Sequence, residues 1–281
     1  MSRIPLGYID LPSGAKAIYA MNDIFLNYTF EDESNWEAMR LIVNIFYKAY
    51  MHLAPHTVIK LIEGPICIRT QFKHILKGDN TTRDQDIKLT EEPGDITYIE
   101  FQNRSDTDPP IKTRAVTYFG LGIGHSNNQI ANQVWLLAED VAPVLRGKAI
   151  ANYILKDEVD GVTYPDTSCM MFISLTQLSE EDGPVGELAS VLLGRVTDVK
   201  DADVARVLQI INRSFDAFKV DKEVPGMLSR VERYLSEGRA EGRAEGEANN
   251  ARKILELIEK GIDPVEYLRE IASSATNPDA V

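Results

Sequence analysis

Asp86, Glu100 and Gln102 are the residues whose types and spacing most suggest chemistry. On a strand, residues two apart share a face. In Tyr98-Ile99-Glu100-Phe101-Gln102 the side chains of Glu100 and Gln102 therefore project together, while Ile99 and Phe101 turn to a core. Asp86 lies just before a tight turn at Pro93-Gly94, and a hairpin there sets its carboxylate beside that of Glu100. Two carboxylates held together repel each other unless a cation joins them. Hard oxygen donors with room for water suit Mg²⁺ or Mn²⁺. A metal so held acidifies a water and stabilises charge on a phosphate during displacement. Gln102 offers an amide to that water or to a phosphate oxygen. The plainer alternative is the polar face of a surface strand. Against it, a carboxylate between Ile99 and Phe101 on a central strand needs a partner.

The elements that must position these residues follow from periodicity. Residues 1–33 read as a capping segment, with a short apolar run opening at Asp23-Ile24-Phe25. Ser34 is placed to cap a helix from about Asn35. There Trp36, Met39, Leu41, Ile42, Ile45, Phe46 and Tyr50 recur at helical spacing, and Pro55 ends any continuation. Residues 57–73 are rich in β-branched side chains and broken by Gly64-Pro65, which predicts one or two strands. A polar loop at 77–83, a strand at 84–90, a turn at 91–94 and a strand at 95–102 come next. Then follow a polar loop at 103–110, a helix at 111–119, and strands at 132–138 and 168–176. This is an α/β core with a mixed sheet. Helical patterns at 185–194, 201–217 and 225–272 complete the chain, which divides into an α/β domain over 15–180 and a helical region over 181–281.

Composition bounds the setting. The 281 residues are 44% hydrophobic and 26% charged, which is ordinary for a globular protein. No stretch has the ~18 apolar residues of a membrane helix, and the N-terminus lacks the apolar run of a signal peptide, so a cytoplasmic protein is expected. Cys67 and Cys169 are the only cysteines, too few for a structural zinc site. A net charge of −13 excludes a protein that coats nucleic acid by charge alone. The acidity is uneven: 15 basic face 18 acidic residues in 1–150, against 15 and 25 in 151–281.

Other residues carry weaker signals. Arg114 and Tyr118 are four apart, so a helix puts them on one face. By spacing alone they read as a stacked surface pair. Arg104, Lys112 and Arg114 follow the motif strand closely enough to contact phosphates locally. Glu37 reads as an exposed helix charge. His52 and His56 are four apart, but Pro55 spoils a helical ligand pair. Gly120, Gly122 and Gly124 lack the spacing of a phosphate loop and are expected to end a helix. The tandem Glu-Gly-Arg-Ala units from 237 form either a solvated, partly frayed helix or an oligomerisation helix.

Arg83, Asp86-Ile87-Lys88-Leu89 and, fourteen residues after Asp86, Ile99-Glu100-Phe101-Gln102 together resemble the core signature of the Rpn-type recombination-promoting nucleases, a PD-(D/E)XK nuclease and transposase family. The likeness extends over roughly residues 20–260 and is loose beyond 180. It implies a restriction-endonuclease-like fold and Mg²⁺- or Mn²⁺-dependent endonuclease activity on DNA, in recombination or transposon-like mobility. It also implies site roles. Asp86, Glu100 and the backbone carbonyl of Phe101 would hold the metal. Gln102 would orient water or phosphate, and Arg114 and Tyr118 would serve DNA binding. The likeness makes Glu37 also a candidate acid. The wider superfamily usually has Lys where this chain has Gln102, and a Gln cannot supply that positive charge. Lys88, two residues from Asp86 on the same strand face, is the residue placed to substitute. Two other readings stay open: a catalytically inactive nuclease fold that binds DNA or protein, and an assembly protein acting through its helical tail as a homo-oligomer.

Overall fold

The apolar stripe after Trp36 produces the helix against which one face of the sheet is built. In the computed structural model that helix is Trp36–Leu53 (α2), which buries Met39, Ile42, Val43, Phe46 and Tyr47. The structure describes residues 8–10, 16–18, 21, 23–55, 57, 59–75, 82–92, 94–102, 110–124, 130–139, 142–154, 168–195 and 198–221. The loop readings at 77–81 and 103–109, His56, Arg104 and the helical and Glu-Gly-Arg-Ala readings after 224 lie outside these residues. The chain divides into two compact units, Met1–Val224 and Pro225–Val281, and all described residues belong to the first.

In chain order the strands are Tyr8–Asp10 (β1), Lys16–Ile18 (β2), Ile66–Ile75 (β3), Thr82–Glu91 (β4), Ile96–Gln102 (β5), Ala131–Leu137 (β6), Ile150–Ile154 (β7) and Cys169–Ser174 (β8). The helices besides α2 are Asp23–Glu31 (α1), Ile111–Gly124 (α3), Ala142–Leu145 (α4), Leu175–Leu178 (α5), Pro184–Leu192 (α6) and Ala202–Val220 (α7). β1 and β2 pair only with each other, and the other six form one mixed sheet in the order β3-β4-β5-β6-β8-β7. β3, β4 and β5 form an antiparallel meander. β5, β6 and β8 run parallel, and β7 closes the edge antiparallel to β8. The fold is therefore α/β, a mixed sheet flanked by helices, and among the described residues no helix is long and apolar enough to cross a membrane.

Strand alternation divides the sheet's side chains between two buried layers. Ile87, Leu89, Thr97, Ile99, Phe101, Val134, Leu136, Met171 and Ile173 occupy one face, and all are buried. Tyr47 of α2 lies against Thr97 and Cys169 on that side, and α2 in turn packs on α6 and α7. The other face carries Tyr98, Glu100, Trp135 and Phe172. Trp135 and Phe172 join Ile111, Ala115 and Tyr118 of α3 and Val144 and Leu145 of α4 in one cluster. Purely parallel strands buried on both sides need such continuous apolar runs, which β6 supplies from Val134 to Leu137.

Several local expectations change. Asp32, not Ser34, caps the turn before α2: its carboxylate accepts from the Ser34 N–H at 2.9 Å, and a 3-10 turn over Glu33–Asn35 precedes the helix. Ser34 lies within that 3-10 turn, so it is not at the capping position. Gly120 and Gly122 lie inside α3, not at its end. A Cβ on Gly122 would come within 2.9 Å of the Tyr98 ring, so the glycine lets the helix lie close over β5. The described residues of 57–64 form no strand. The Asn44 side chain takes over their pairing, donating to the Ile62 carbonyl and accepting from the Ile62 N–H, each at 2.9 Å. α7 packs against α1 and α2; Phe25 meets Phe218 edge-on at 5.5 Å, and Asn35 donates to Ser214 Oγ.

Burial of phenols sets a testable pH limit. Burial pushes the Tyr98 hydroxyl up to about 12 from 10.0 and also raises Tyr118. An acid raised in the folded state stabilises fully below its unfolded value, and that stability is lost as pH climbs through the folded value. The urea midpoint should therefore hold steady up to about pH 9 and fall between 10 and 12. Tyr98→Phe should flatten that fall; an unchanged slope in the variant would refute the assignment to Tyr98.

Candidate active site

The site grows from a split in the sheet. β4 and β5 pair from Thr90–Ile96 to Ile87–Ile99. Beyond that point, among the described residues, β4 continues toward Thr82 beside β3, and β5 continues to Gln102 beside β6. One step past Ile87–Ile99, the register brings Asp86 opposite Glu100.

Backbone polarity at the split decides what Asp86 does. On β5 the Ile96 N–H and the Gln102 carbonyl bond on the β6 side, so even-numbered peptide groups face β6. Phe101 therefore turns its N–H and C=O toward β4, into the gap. The half-buried Asp86 fills that gap, and its Oδ2 accepts from the Phe101 N–H at 2.8 Å. The Phe101 carbonyl opens on the same side. The register thus sets Asp86 opposite Glu100, with the Phe101 peptide group turned toward β4 between them. A carboxylate accepts several bonds at once, so this one is compatible with a metal-ligand role for Asp86.

Glu100 is 3% exposed. Its register partner on β6 is Trp135, so the carboxylate rises beside an indole. The cation nearest to it in the described contacts is Arg114 of α3, with Nη2 at 3.8 Å from Glu100 Oε2. That is an ion pair but too long for a hydrogen bond. The same guanidinium donates through Nη1 to Gln102 Oε1 at 2.9 Å. It also lies over the rings of Tyr118, at 5.7 Å, and Trp135, at 5.5 Å. Gln102 therefore presents its carbonyl oxygen to Arg114. Tyr118 is buried and stacks on Trp135 with centroids 6.0 Å apart, which makes it a support beneath Arg114. Burial raises its phenol, and the charges of Glu100 and Asp86 add to the rise while Arg114 opposes it. The four groups share one electrostatic environment.

Lys88 lies on the same face one register row away. Its ammonium sits 5.9 Å from the centroid of the Tyr98 ring, and its cross-strand partner on β3 is Arg69. Burial first, and then Arg69, lower the Lys88 ammonium. Like charges directly opposite each other are unfavourable, so Arg69 and Lys88 form a local positive edge on an otherwise acidic chain. Sequence reasoning does not single out Arg69 or Trp135. The register with Lys88 is the signal that points to Arg69, whereas Trp135 has the pattern of ordinary strand core. Glu37 is engaged elsewhere: Arg40 grips it with two hydrogen bonds at 2.7 and 2.9 Å on the outer surface of α2. Lys112 is exposed on α3.

No family model, characterised protein or solved structure matches this chain. Its chemistry rests on the geometry of the site.

Among the described residues no three Asp, Glu, His or Cys side chains converge. Asp86, Glu100 and the Phe101 carbonyl would together offer two carboxylates and a carbonyl. That suits Mg²⁺, which keeps several waters and uses one or two carboxylates plus substrate phosphates; it does not suit zinc, which prefers nitrogen and sulfur. A carboxylate as buried as Glu100 is costly without a compensating charge, and Arg114 at 3.8 Å supplies part of it.

Proposed function

We propose that this chain is a divalent-cation-dependent endonuclease that hydrolyses DNA phosphodiester bonds on a restriction-endonuclease-like core. The observation that carries the reading is the register that sets Asp86 opposite Glu100 where β4 and β5 part, with the Asp86 carboxylate held on the Phe101 N–H. The helix-flanked mixed sheet, with the site on its central strands, agrees with it. Asp86, Glu100 and Phe101 would hold Mg²⁺ or Mn²⁺; bound there, the ion supplies an acidified water and neutralises phosphate charge. The Phe101 N–H fixes the Asp86 carboxylate, which spares it the rotamer freedom that would blur the site. Arg114, 24% exposed, offers a fork-shaped donor to phosphate oxygens. Arg69 and Lys88 extend positive charge along the face, so a DNA backbone can approach a chain of net charge −13. The family likeness of the Asp86 and Glu100 segments points to recombination or transposon-like mobility as the setting.

The test is supercoiled plasmid incubated with the full chain. Mg²⁺ or Mn²⁺ should produce nicked and linear product, and EDTA should stop it. DNA binding without cleavage under any divalent cation would refute the enzyme and favour the inactive nuclease-fold module.

A further inference from the structure

We propose that Gln102 acts through Arg114, and that Arg114 is a charge stand-in which yields Glu100 to the divalent cation and turns to the phosphate. This rests on the endonuclease reading and specifies how its site works. Three contacts define the arrangement. Gln102 Oε1 accepts from Arg114 Nη1 at 2.9 Å. The other terminal nitrogen reaches Glu100 at 3.8 Å. Tyr118 and Trp135 carry the guanidinium at 5.7 and 5.5 Å. The strong short bond goes to Gln102 and the long one to Glu100, so the guanidinium is tethered at one end and loosely committed at the other.

The chemistry follows from that inequality. Without a cation, Arg114 offsets the charge of a carboxylate that is 3% exposed. With a divalent ion held by Glu100, Arg114 would be repelled and its pairing to the carboxylate replaced. The guanidinium, still held by Gln102 and the two rings, is then available to a phosphate oxygen, for which its planar fork is suited. Gln102 is thus a positioning residue whose useful atom is the acceptor Oε1. An amide that bonded a phosphate oxygen would have to use its N–H₂ group as donor. The two roles separate on one substitution, because Glu accepts from Arg114 but donates nothing.

The experiment measures Mn²⁺ affinity by electron paramagnetic resonance, and plasmid cleavage, on the full chain and four variants. Glu100→Gln serves as the site control. Arg114→Met should bind Mn²⁺ roughly tenfold more tightly than the unaltered chain, because the competing charge is gone, yet should lose cleavage. Gln102→Glu should retain cleavage to within about tenfold, and Gln102→Leu should lose about a hundredfold or more. Melting temperatures check that each variant folds; should Arg114→Met not fold, Arg114→Gln, which also removes the competing charge, replaces it and should likewise bind Mn²⁺ more tightly and cut poorly. Unchanged Mn²⁺ affinity in Arg114→Met, with binding that still depends on Glu100, overturns the exchange and leaves the endonuclease reading standing. Equal failure of Gln102→Glu and Gln102→Leu overturns the positioning role. Mn²⁺ binding that is absent, or indifferent to Glu100→Gln, defeats the endonuclease reading itself and this inference with it.

Discussion

Glu100→Gln should reduce divalent-cation-dependent cleavage by about 10³-fold while leaving the fold intact. A metal ligand contributes several kcal/mol of transition-state stabilisation, and ~4 kcal/mol corresponds to about that factor. Gln keeps the shape of Glu but offers one neutral carbonyl where two charged oxygens stood. Stability should respond differently. Glu100 is 3% exposed, and burying its charge is costly. Its partner Arg114 is 24% exposed and keeps Gln102 and two aromatic rings after the substitution. Removing the carboxylate therefore strands no fully buried cation, and the melting temperature should stay within about 4 °C of the unaltered protein, the shift equivalent to ~1 kcal/mol. The measurements are plasmid nicking rates with Mg²⁺ and a thermal melt by circular dichroism. A variant that cuts within about threefold of the original rate would show that Glu100 takes no part in chemistry. A large drop in melting temperature would assign the residue to structure instead.

The site's outline is legible in the sequence because strand periodicity is short and rigid. Ile96–Gln102 alternates with period two over a buried face, and the turn after Glu91 fixes which residue of β4 meets which of β5. Those two facts alone bring Asp86 to Glu100. The split of the sheet at Ile87–Ile99 is not legible. It depends on β4 following β3 while β5 follows β6, a competition between neighbours that local pattern does not encode. The Asp86 bond to the Phe101 N–H is a consequence of that split. Arg114 is visible as a cation on a helix. Its union with Gln102 and Glu100 is not, because it depends on how α3 docks, and Gly122 controls that through its close approach to Tyr98. β7 and α4 escape notice for another reason. Ile150–Ile154 is a short edge strand with a mixed pattern, and Ala142–Leu145 is a single turn. Helix periodicity finds α6 and α7, but only the packing of α7 on α1 and α2 reveals that they belong with the sheet.

Gln102 also reads differently once the geometry is known. By resemblance alone it stands where the wider nuclease superfamily usually has a lysine, and so reads as a position without positive charge. In the fold that position holds an arginine in place from another element, so a cation still stands beside Glu100. Charge at a site is a property of the packed surface, and a substitution on the strand can be answered from the helix.

That answer depends on Trp135, and the second large effect is expected there. The indole is fully buried between Tyr118, at 6.0 Å, and Phe172, at 6.1 Å, in stacked geometry. It lies beside Glu100 in register and beneath Arg114. Trp135→Ala removes the largest side chain of this layer and leaves a cavity between α3 and the sheet. The cost should be about 3–5 kcal/mol, read as a lower urea midpoint with an unchanged slope. In a unit of this size that corresponds to a fall of roughly 10 °C in melting temperature. Trp135→Phe keeps a ring in the stack and should cost less than half as much, roughly 1–2 kcal/mol. Activity should separate the two further at temperatures where both are folded. With the indole gone, Arg114 loses one of the two rings that carry it, so Trp135→Ala should cut more slowly than its stability predicts and Trp135→Phe should not. A loss below about 1 kcal/mol in Trp135→Ala would mean that α3 is not packed on β6 through this residue, and the placement of Arg114 over Glu100 would fall with it.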